Sequence, residues 1–384
     1  MKQPPLSLYV HLPWCVRKCP YCDFNSHQAG DAPAKKRYLD ALLVDLDLES
    51  ARADGRVIET IFLGGGTPSL FSPAEIGRLL GGITTIFQVA DDAEITMEAN
   101  PGSVECGDAA GYRKAGVNRL SIGAQSFDDR QLQVLGRIHD SADIVRAVSD
   151  AHKGGFENIN IDLMHGLPGQ SVADALADLE SAMRLAPAHI SWYELTLEPN
   201  TVFYARPPAN MPDDELAFEI QVRGRSLLGS RGYAQYEVSA FARSGSRCRH
   251  NLNYWLFGDY VAVGAGAHGK LTVAEGILRY QKPANPLQYM IDVETGADLG
   301  RAVALSASDL VFEFMLNALR LNDGFAESTF CDTTGLTAAA LFAATSGARE
   351  RGLIARADDA VWRPTDLGGR FLNDLQSEFL LDSA

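Results

Sequence analysis

Cys15, Cys19 and Cys22 lie in one loop, Cys15-Val-Arg-Lys-Cys19-Pro-Tyr-Cys22, and make up half of the six cysteines in the chain. Thiolates are soft ligands that favour zinc and iron–sulfur clusters. A C-x3-C-x2-C loop can aim three of them at one point, and three chemistries compete for it. A structural zinc wants a fourth ligand, for which His27 and Asp23 are at hand. Three buried structural thiols sit poorly in a loop flanked by proline and charge. A [4Fe–4S] cluster on three cysteines leaves one iron open. That iron can take the amino and carboxylate groups of S-adenosylmethionine (SAM) and pass an electron to the sulfonium, so that a C–S bond breaks to a 5′-deoxyadenosyl radical. Cys106 and Cys331 stand alone and read as buried apolar residues. Six cysteines in 384 residues are too few for a disulfide scaffold.

Further polar segments follow at regular intervals. They are Gly64-Gly65-Gly66-Thr67-Pro68, Met97-Glu98-Ala99-Asn100-Pro101, Gly123-Ala124-Gln125-Ser126-Phe127 with Arg137 and His139 beyond it, and Asp162 through Gly169. Three successive glycines let backbone approach a ligand closely. A second constellation is His250-Asn251-Leu-Asn-Tyr254-Trp255. Neutral imidazole is a common axial ligand for heme iron, and the tyrosine and tryptophan offer flat apolar surface. Cys248 and His268 are competing axial candidates, and a hydrogen-bonded structural histidine is the plain alternative. Six arginines between Arg223 and Arg249, against the single acid Glu237, read either as a solvated face or as a site for a carboxylate-bearing ligand such as two propionates.

The elements that must position these groups are legible from periodicity. Apolar β-type runs occur at 6–12, 58–63, 94–98, 119–123, 158–164 and 189–195. Helical patterns lie between them, one starting near Ala34, one at Ser72-Pro73, and two over 143–152 and 172–184. Alternation of this kind predicts parallel βα units, whose ligands gather at the carboxyl ends of the strands. Each polar segment above follows a strand. Residues 306–384 carry helical patterns over 306–320, 336–351 and 365–379 with a hairpin at 352–364, which predicts a winged-helix-like module. The module has no basic stripe, so nucleic acid is not expected as a partner.

Composition sets the outer bounds. Hydrophobic residues make up 46% and charged residues 22%, and the net charge is −15. That balance excludes wholesale disorder and a general nucleic-acid-binding surface. No apolar run is long enough to cross a bilayer, and the first residues lack the pattern of a secretory signal. A soluble, cytoplasmic protein with no integral anchor is expected.

The three-cysteine loop after the first strand resembles the radical SAM superfamily. With the later strand-end segments, the chain resembles the coproporphyrinogen III oxidase-like branch of that superfamily over essentially its whole length, including the segment from Arg363 to Asn373. The resemblance implies an α/β fold: a partial (β/α)6 TIM-like barrel over residues 1–235, an elaboration over 236–300 and a C-terminal winged-helix-like α+β domain over 301–384. It implies a [4Fe–4S] cluster on Cys15, Cys19 and Cys22. Tyr9, Gly65, Gly66, Thr67 and Glu98 would surround the bound SAM. Tyr21, Gln125, Arg137 and Asp162 would line the adjoining region, where this branch can hold a second SAM.

Two departures separate functions within the branch. The oxidases carry a fourth cysteine two positions beyond the third, and here that position is Phe24. In turn, His250, Asn251, Tyr254 and Trp255 match an H-N-x-x-Y-W motif of heme chaperones that resemble the oxidases. The implied function is heme binding and delivery to recipient proteins, membrane respiratory proteins among them, without oxidase activity. The alternative is decarboxylation of coproporphyrinogen propionates. An exposed cluster would favour a homodimer.

Overall fold

The structure is a computed structural model that describes residues 2–29, 33–102 and 108–380. Cys106 lies outside the described residues. Six parallel strands arise at the six apolar runs: β1 (Leu6–Leu12), β2 (Ile58–Gly65), β3 (Val89–Ala99), β4 (Arg119–Gln125), β5 (Asn158–His165) and β6 (His189–Glu194). They pair in chain order. Between them run α1 (Pro33–Ala53), α2 (Pro73–Ile86), α3 (Ala109–Ala115), α4 (Ser141–Lys153) and α5 (Val172–Arg184). Three of these helices start where side chains satisfy the free N–H groups of the first turn. Ser72 with Glu75, Asp140 with Asp143, and Ser171 with Asp174 each form a reciprocal capping box.

β1 and β6 do not pair with each other, so the barrel stays open. Each edge is extended instead. Beyond β6 lie β7 (Ala234–Glu237) and β8 (Ala240–Ala242), and beyond β1 lie β9 (Asp259–Val263), β10 (His268–Val273), β11 (Gly276–Gln281) and β12 (Val303–Ala304). The full order is β12-β11-β10-β9-β1-β2-β3-β4-β5-β6-β8-β7. β9 continues the parallel run, while β10 and β11 form an antiparallel hairpin on it. Two buried ion-pair groups tie this edge down. Lys282 reaches Asp45 at 2.6 Å and Glu49 at 2.7 Å on α1, and Lys270 reaches Asp259 at 2.8 Å. Removing one member of such a pair leaves a buried charge and costs about 3–5 kcal/mol.

The expected C-terminal hairpin forms at Ile354–Arg356 and Val361–Pro364. Phe325–Ala326 adds a third strand, and helix Glu327–Thr334 precedes the second expected helix; neither was read from the sequence. Two expected helices are each split in two. The first breaks at Thr345, whose hydroxyl donates to the Leu341 carbonyl at 2.9 Å. The second breaks at Phe371. Trp362 is fully buried at the centre, with Phe314 and Phe330, and Phe257 and Ile277 of the main body enter the same core. Cys331 is half-buried at its margin rather than buried as expected. Among the described residues, no helix is long and apolar enough to cross a membrane.

Candidate cluster pocket and adjoining aromatic cavity

The loop after β1 is stitched to the end of β2. Gly66 N donates to the Leu12 carbonyl and Thr67 N to the Trp14 carbonyl, both at 2.8 Å. A Cβ on Gly66 would stand 2.7 Å from the Trp14 carbonyl oxygen. The glycine run therefore admits the cysteine loop's own backbone as well as any ligand. Cys15, Cys19 and Cys22 line one pocket of about 270 Å³, together with Gly65, Gly66, Thr67, Glu98, Gln125, Arg137 and Asp162. Tyr21 and Asn251 line it too.

Each thiol has a polar neighbour. Thr67 Oγ1 is 3.4 Å from Cys15 Sγ, Arg137 Nη1 is 3.6 Å from Cys19 Sγ, and Ser26 Oγ is 3.7 Å from Cys22 Sγ. Among the described residues, no three of His, Cys, Asp and Glu converge closely enough to hold a single metal ion. Three thiols lining one pocket suit a multi-iron cluster in which each thiolate binds its own iron. Neither residue expected as a fourth zinc ligand joins them. Asp23 opens on a different cavity, and His27 is bonded to Asn25 at 3.1 Å. Burial pushes the Cys22 thiol up, so iron must displace a proton there.

The strand ends supply a charged lining. Glu98 accepts from Gly65 N at 2.9 Å, yet burial, aided by Asp162, lifts its carboxyl to about 7. An ammonium group arriving beside it would restore its charge. Burial also raises Asp162, which accepts from Ser121 at 2.9 Å and Asn160 at 2.7 Å. Arg137 donates to the Asn100 side chain at 2.5 Å and to the Gly123 carbonyl at 2.9 Å, and Asn100 donates to Thr67 Oγ1 at 2.9 Å. The Nε atoms of Arg119 and Arg137 are buried without a partner among the described residues, leaving donors for an anionic ligand. Gln125 has φ +69°, a left-handed conformation costly for a non-glycine residue, at the bulge that ends β4. Its side chain accepts from the Tyr193 hydroxyl at 2.7 Å. Sequence reading missed Asn100, Arg119 and Tyr193. Asn100 and Tyr193 were detectable only as polar residues at or near strand ends.

The His250–Trp255 segment forms α6 (Arg249–Trp255), lying over β1 and β2. The Glu94 carboxylate accepts from the N–H groups of Arg249 and His250, both at 3.1 Å, and so caps the helix. His250 is fully buried. Its Nδ1 lies 2.8 Å from Thr60 Oγ1 and its Nε2 2.9 Å from the Tyr254 hydroxyl. Burial, with Arg119 nearby, lowers it to about 3, so the ring is neutral. Tyr254 and Trp255 face a second cavity, of about 610 Å³, walled also by Phe257, Tyr260, His268, Lys270 and Arg279. Tyr9, expected beside SAM, lines this cavity and not the cysteine pocket, with its hydroxyl 3.0 Å from His11 Nδ1. Phe24, Gly65 and Glu98 line both.

Of the two readings of the arginine cluster, the structure shows the solvated face and not a carboxylate site in this cavity. Arg223 lies 3.8 Å from Glu219, Arg247 3.0 Å from Asp323 and Arg249 3.3 Å from Asp92, while Arg243 stacks 4.7 Å from the centre of the Tyr233 ring. None of the six lines the aromatic cavity; its cationic groups are Lys270 and Arg279. Cys248 is buried against Glu94, 3.5 Å from Oε1, and burial first of all raises its thiol to about 12. It is a poor axial ligand at neutral pH.

An open parallel βα sheet with three thiols at the end of its first strand and polar groups at the following strand ends defines a radical SAM protein. The Radical SAM superfamily model matches residues 9–182, and the HemN C-terminal domain model matches residues 305–371. The fold is similar to that of coproporphyrinogen III oxidase (HemN) from Escherichia coli, described as a radical SAM enzyme. The TM-score is 0.82 at 25% identity, covering 98% of this chain and 90% of that one. Heme chaperone HemW of Escherichia coli (strain K12) is 47% identical over 383 residues, spanning 100% of both chains. Heme chaperone HemW of Haemophilus influenzae is 47% identical over 99% of both. Radical S-adenosyl methionine domain-containing protein 1, mitochondrial, of Bos taurus is 37% identical over 83% of this chain and 74% of that one. The chain belongs to the HemW family within the radical SAM superfamily.

Proposed function

We propose that the chain is a heme chaperone, which takes up heme in the aromatic cavity and hands it to recipient proteins, with a [4Fe–4S] cluster and SAM in the pocket next door. The observation that carries this reading is the shared wall. Phe24, Gly65 and Glu98 face both spaces, so an occupant of one meets the occupant of the other. A cavity of about 610 Å³ is within the usual range for an organic ligand. The names of the full-length relatives support the same reading.

Cys15, Cys19 and Cys22 would hold the cluster, which when bound supplies one-electron reduction of SAM at its open iron. Glu98 would hold the amino group of SAM, and Gly65, Gly66 and Thr67 would border it. Arg137, Gln125, Asp162 and Tyr21 would close the far side. Tyr254 and Trp255 would cover the face of the macrocycle, and Arg279 would meet a propionate. His250 would orient Tyr254 through their hydrogen bond, and Asn251 would face the cluster side.

Titration of the anaerobically reconstituted full chain with hemin tests this. One hemin per chain is expected, with a shifted Soret band and an affinity that changes when SAM is present. Absence of saturable binding, or binding indifferent to both Tyr254→Ala and Trp255→Ala, refutes it. The similarity to HemN gives the oxidase reading one specific observation in its favour. Protoporphyrinogen formed from coproporphyrinogen III under reductant and SAM would establish that reading instead.

A further inference from the structure

Two histidines, His11 and His268, line the aromatic cavity, and His250 is buried outside its lining, against Tyr254; the rings of His11 and His250 are already engaged. His250 holds Thr60 and Tyr254 with its two ring nitrogens, at 2.8 and 2.9 Å. His11 lies 3.0 Å from the Tyr9 hydroxyl through Nδ1 and 2.8 Å from the Asn25 carbonyl through Nε2. His268 is exposed on the cavity wall, with no hydrogen bond from its ring among the described residues. We propose that His268, not the histidine of the H-N-x-x-Y-W segment, gives the heme iron its protein ligand. The inference rests on the reading that this cavity holds heme.

The physical case is the availability of a lone pair. For His250 or His11 to bind iron, a ring nitrogen must abandon an interior partner and leave that partner unsatisfied, which is unfavourable. His268 pays nothing of the kind. It opens β10, whose register against β11 sets His268 opposite Gln281 and Lys270 opposite Arg279. Alternation along a strand puts these four side chains on one face, and all four line the cavity. Lys270 is consumed by Asp259, at 2.8 Å, and by the Phe257 ring. Arg279 is a quarter exposed, is paired with Glu313 at 2.5 Å and with the Tyr260 hydroxyl, and stands two residues along the hairpin, about 7 Å from the His268 row, where a propionate would have to share it with these partners. Imidazole for the iron and guanidinium for a carboxylate at the edge are thus presented side by side.

The test uses the full chain and hemin, with the coordination signature read by absorption and electron paramagnetic resonance. Wild type and His250→Ala should share one histidine-ligated signature, even if His250→Ala binds more weakly through loss of its support for Tyr254. His268→Ala should lose that signature and bind hemin at least tenfold more weakly, and added imidazole should restore the signature. His268→Cys should replace it with that of a thiolate ligand, seen as a red-shifted Soret band of the ferrous carbonyl form, which a merely structural role would not produce. Unchanged signatures in both His268 variants overturn the inference while leaving heme binding intact. Failure of the wild type to bind hemin overturns the heme reading itself.

Discussion

Glu98→Gln separates the stability of the fold from its ligand chemistry. In the ligand-free chain the Glu98 carboxyl is lifted from 4.5 to about 7, first by burial and then by Asp162, against the hydrogen bond from Gly65. Holding it ionised in place therefore costs about 3 kcal/mol. Between pH 4.5 and about 7 the folded chain keeps a proton that the unfolded chain has released, so wild-type stability falls as pH rises through that window. Glutamine carries no such term and keeps an oxygen for Gly65 N. The variant should match wild type below pH 4.5, gain through the window and be about 3 kcal/mol more stable above pH 7. Urea titrations of metal-free protein at several pH values, followed through the fluorescence of buried Trp14 and Trp192, measure this. SAM affinity of the cluster-loaded variant, measured by equilibrium dialysis at pH 8, should fall at least tenfold, because the counter-charge for the ammonium is gone. A stability difference that does not vary with pH, or a variant less stable than wild type at pH 8, would refute the electrostatic account of Glu98.

Other changes test the remaining parts of the site. Cys22→Ala should leave the secondary structure intact by circular dichroism but lower the iron retained after anaerobic reconstitution from about four per chain toward zero, as measured by metal analysis. Gly66→Ala drives a Cβ to 2.7 Å from the Trp14 carbonyl oxygen, so the backbone must move. A loss of about 1–3 kcal/mol in denaturation and poorer iron loading are expected. Arg279→Gln should weaken hemin binding about tenfold, near 1.5 kcal/mol, and leave binding of the hemin dimethyl ester unchanged; equal losses for both would show that the guanidinium does not meet a propionate. Trp255→Ala removes one face of the cavity and should weaken hemin by at least tenfold in the same titration.

Much of this molecule was legible in its sequence because it is built from local rules. The six parallel strands and the helix over Val172–Arg184 follow from apolar period and capping residues within a few positions of each element. The cysteine loop and the polar strand ends are short segments whose position after a strand is itself a local fact. What the sequence left open depends on partners far away along the chain. Thr60 and Tyr254 decide that both nitrogens of His250 are engaged, and Thr60 is 190 residues distant. Arg243, Arg247 and Arg249 find their own acid or ring, while Arg279 and His268, unremarkable in their own segment, meet on a hairpin that only the added sheet edge creates. Tyr9 crosses to the second cavity because the pleat of β1 points it there. Residue type and spacing therefore announce which chemistry is carried, but only packing settles which lone pairs and charges are still free to perform it.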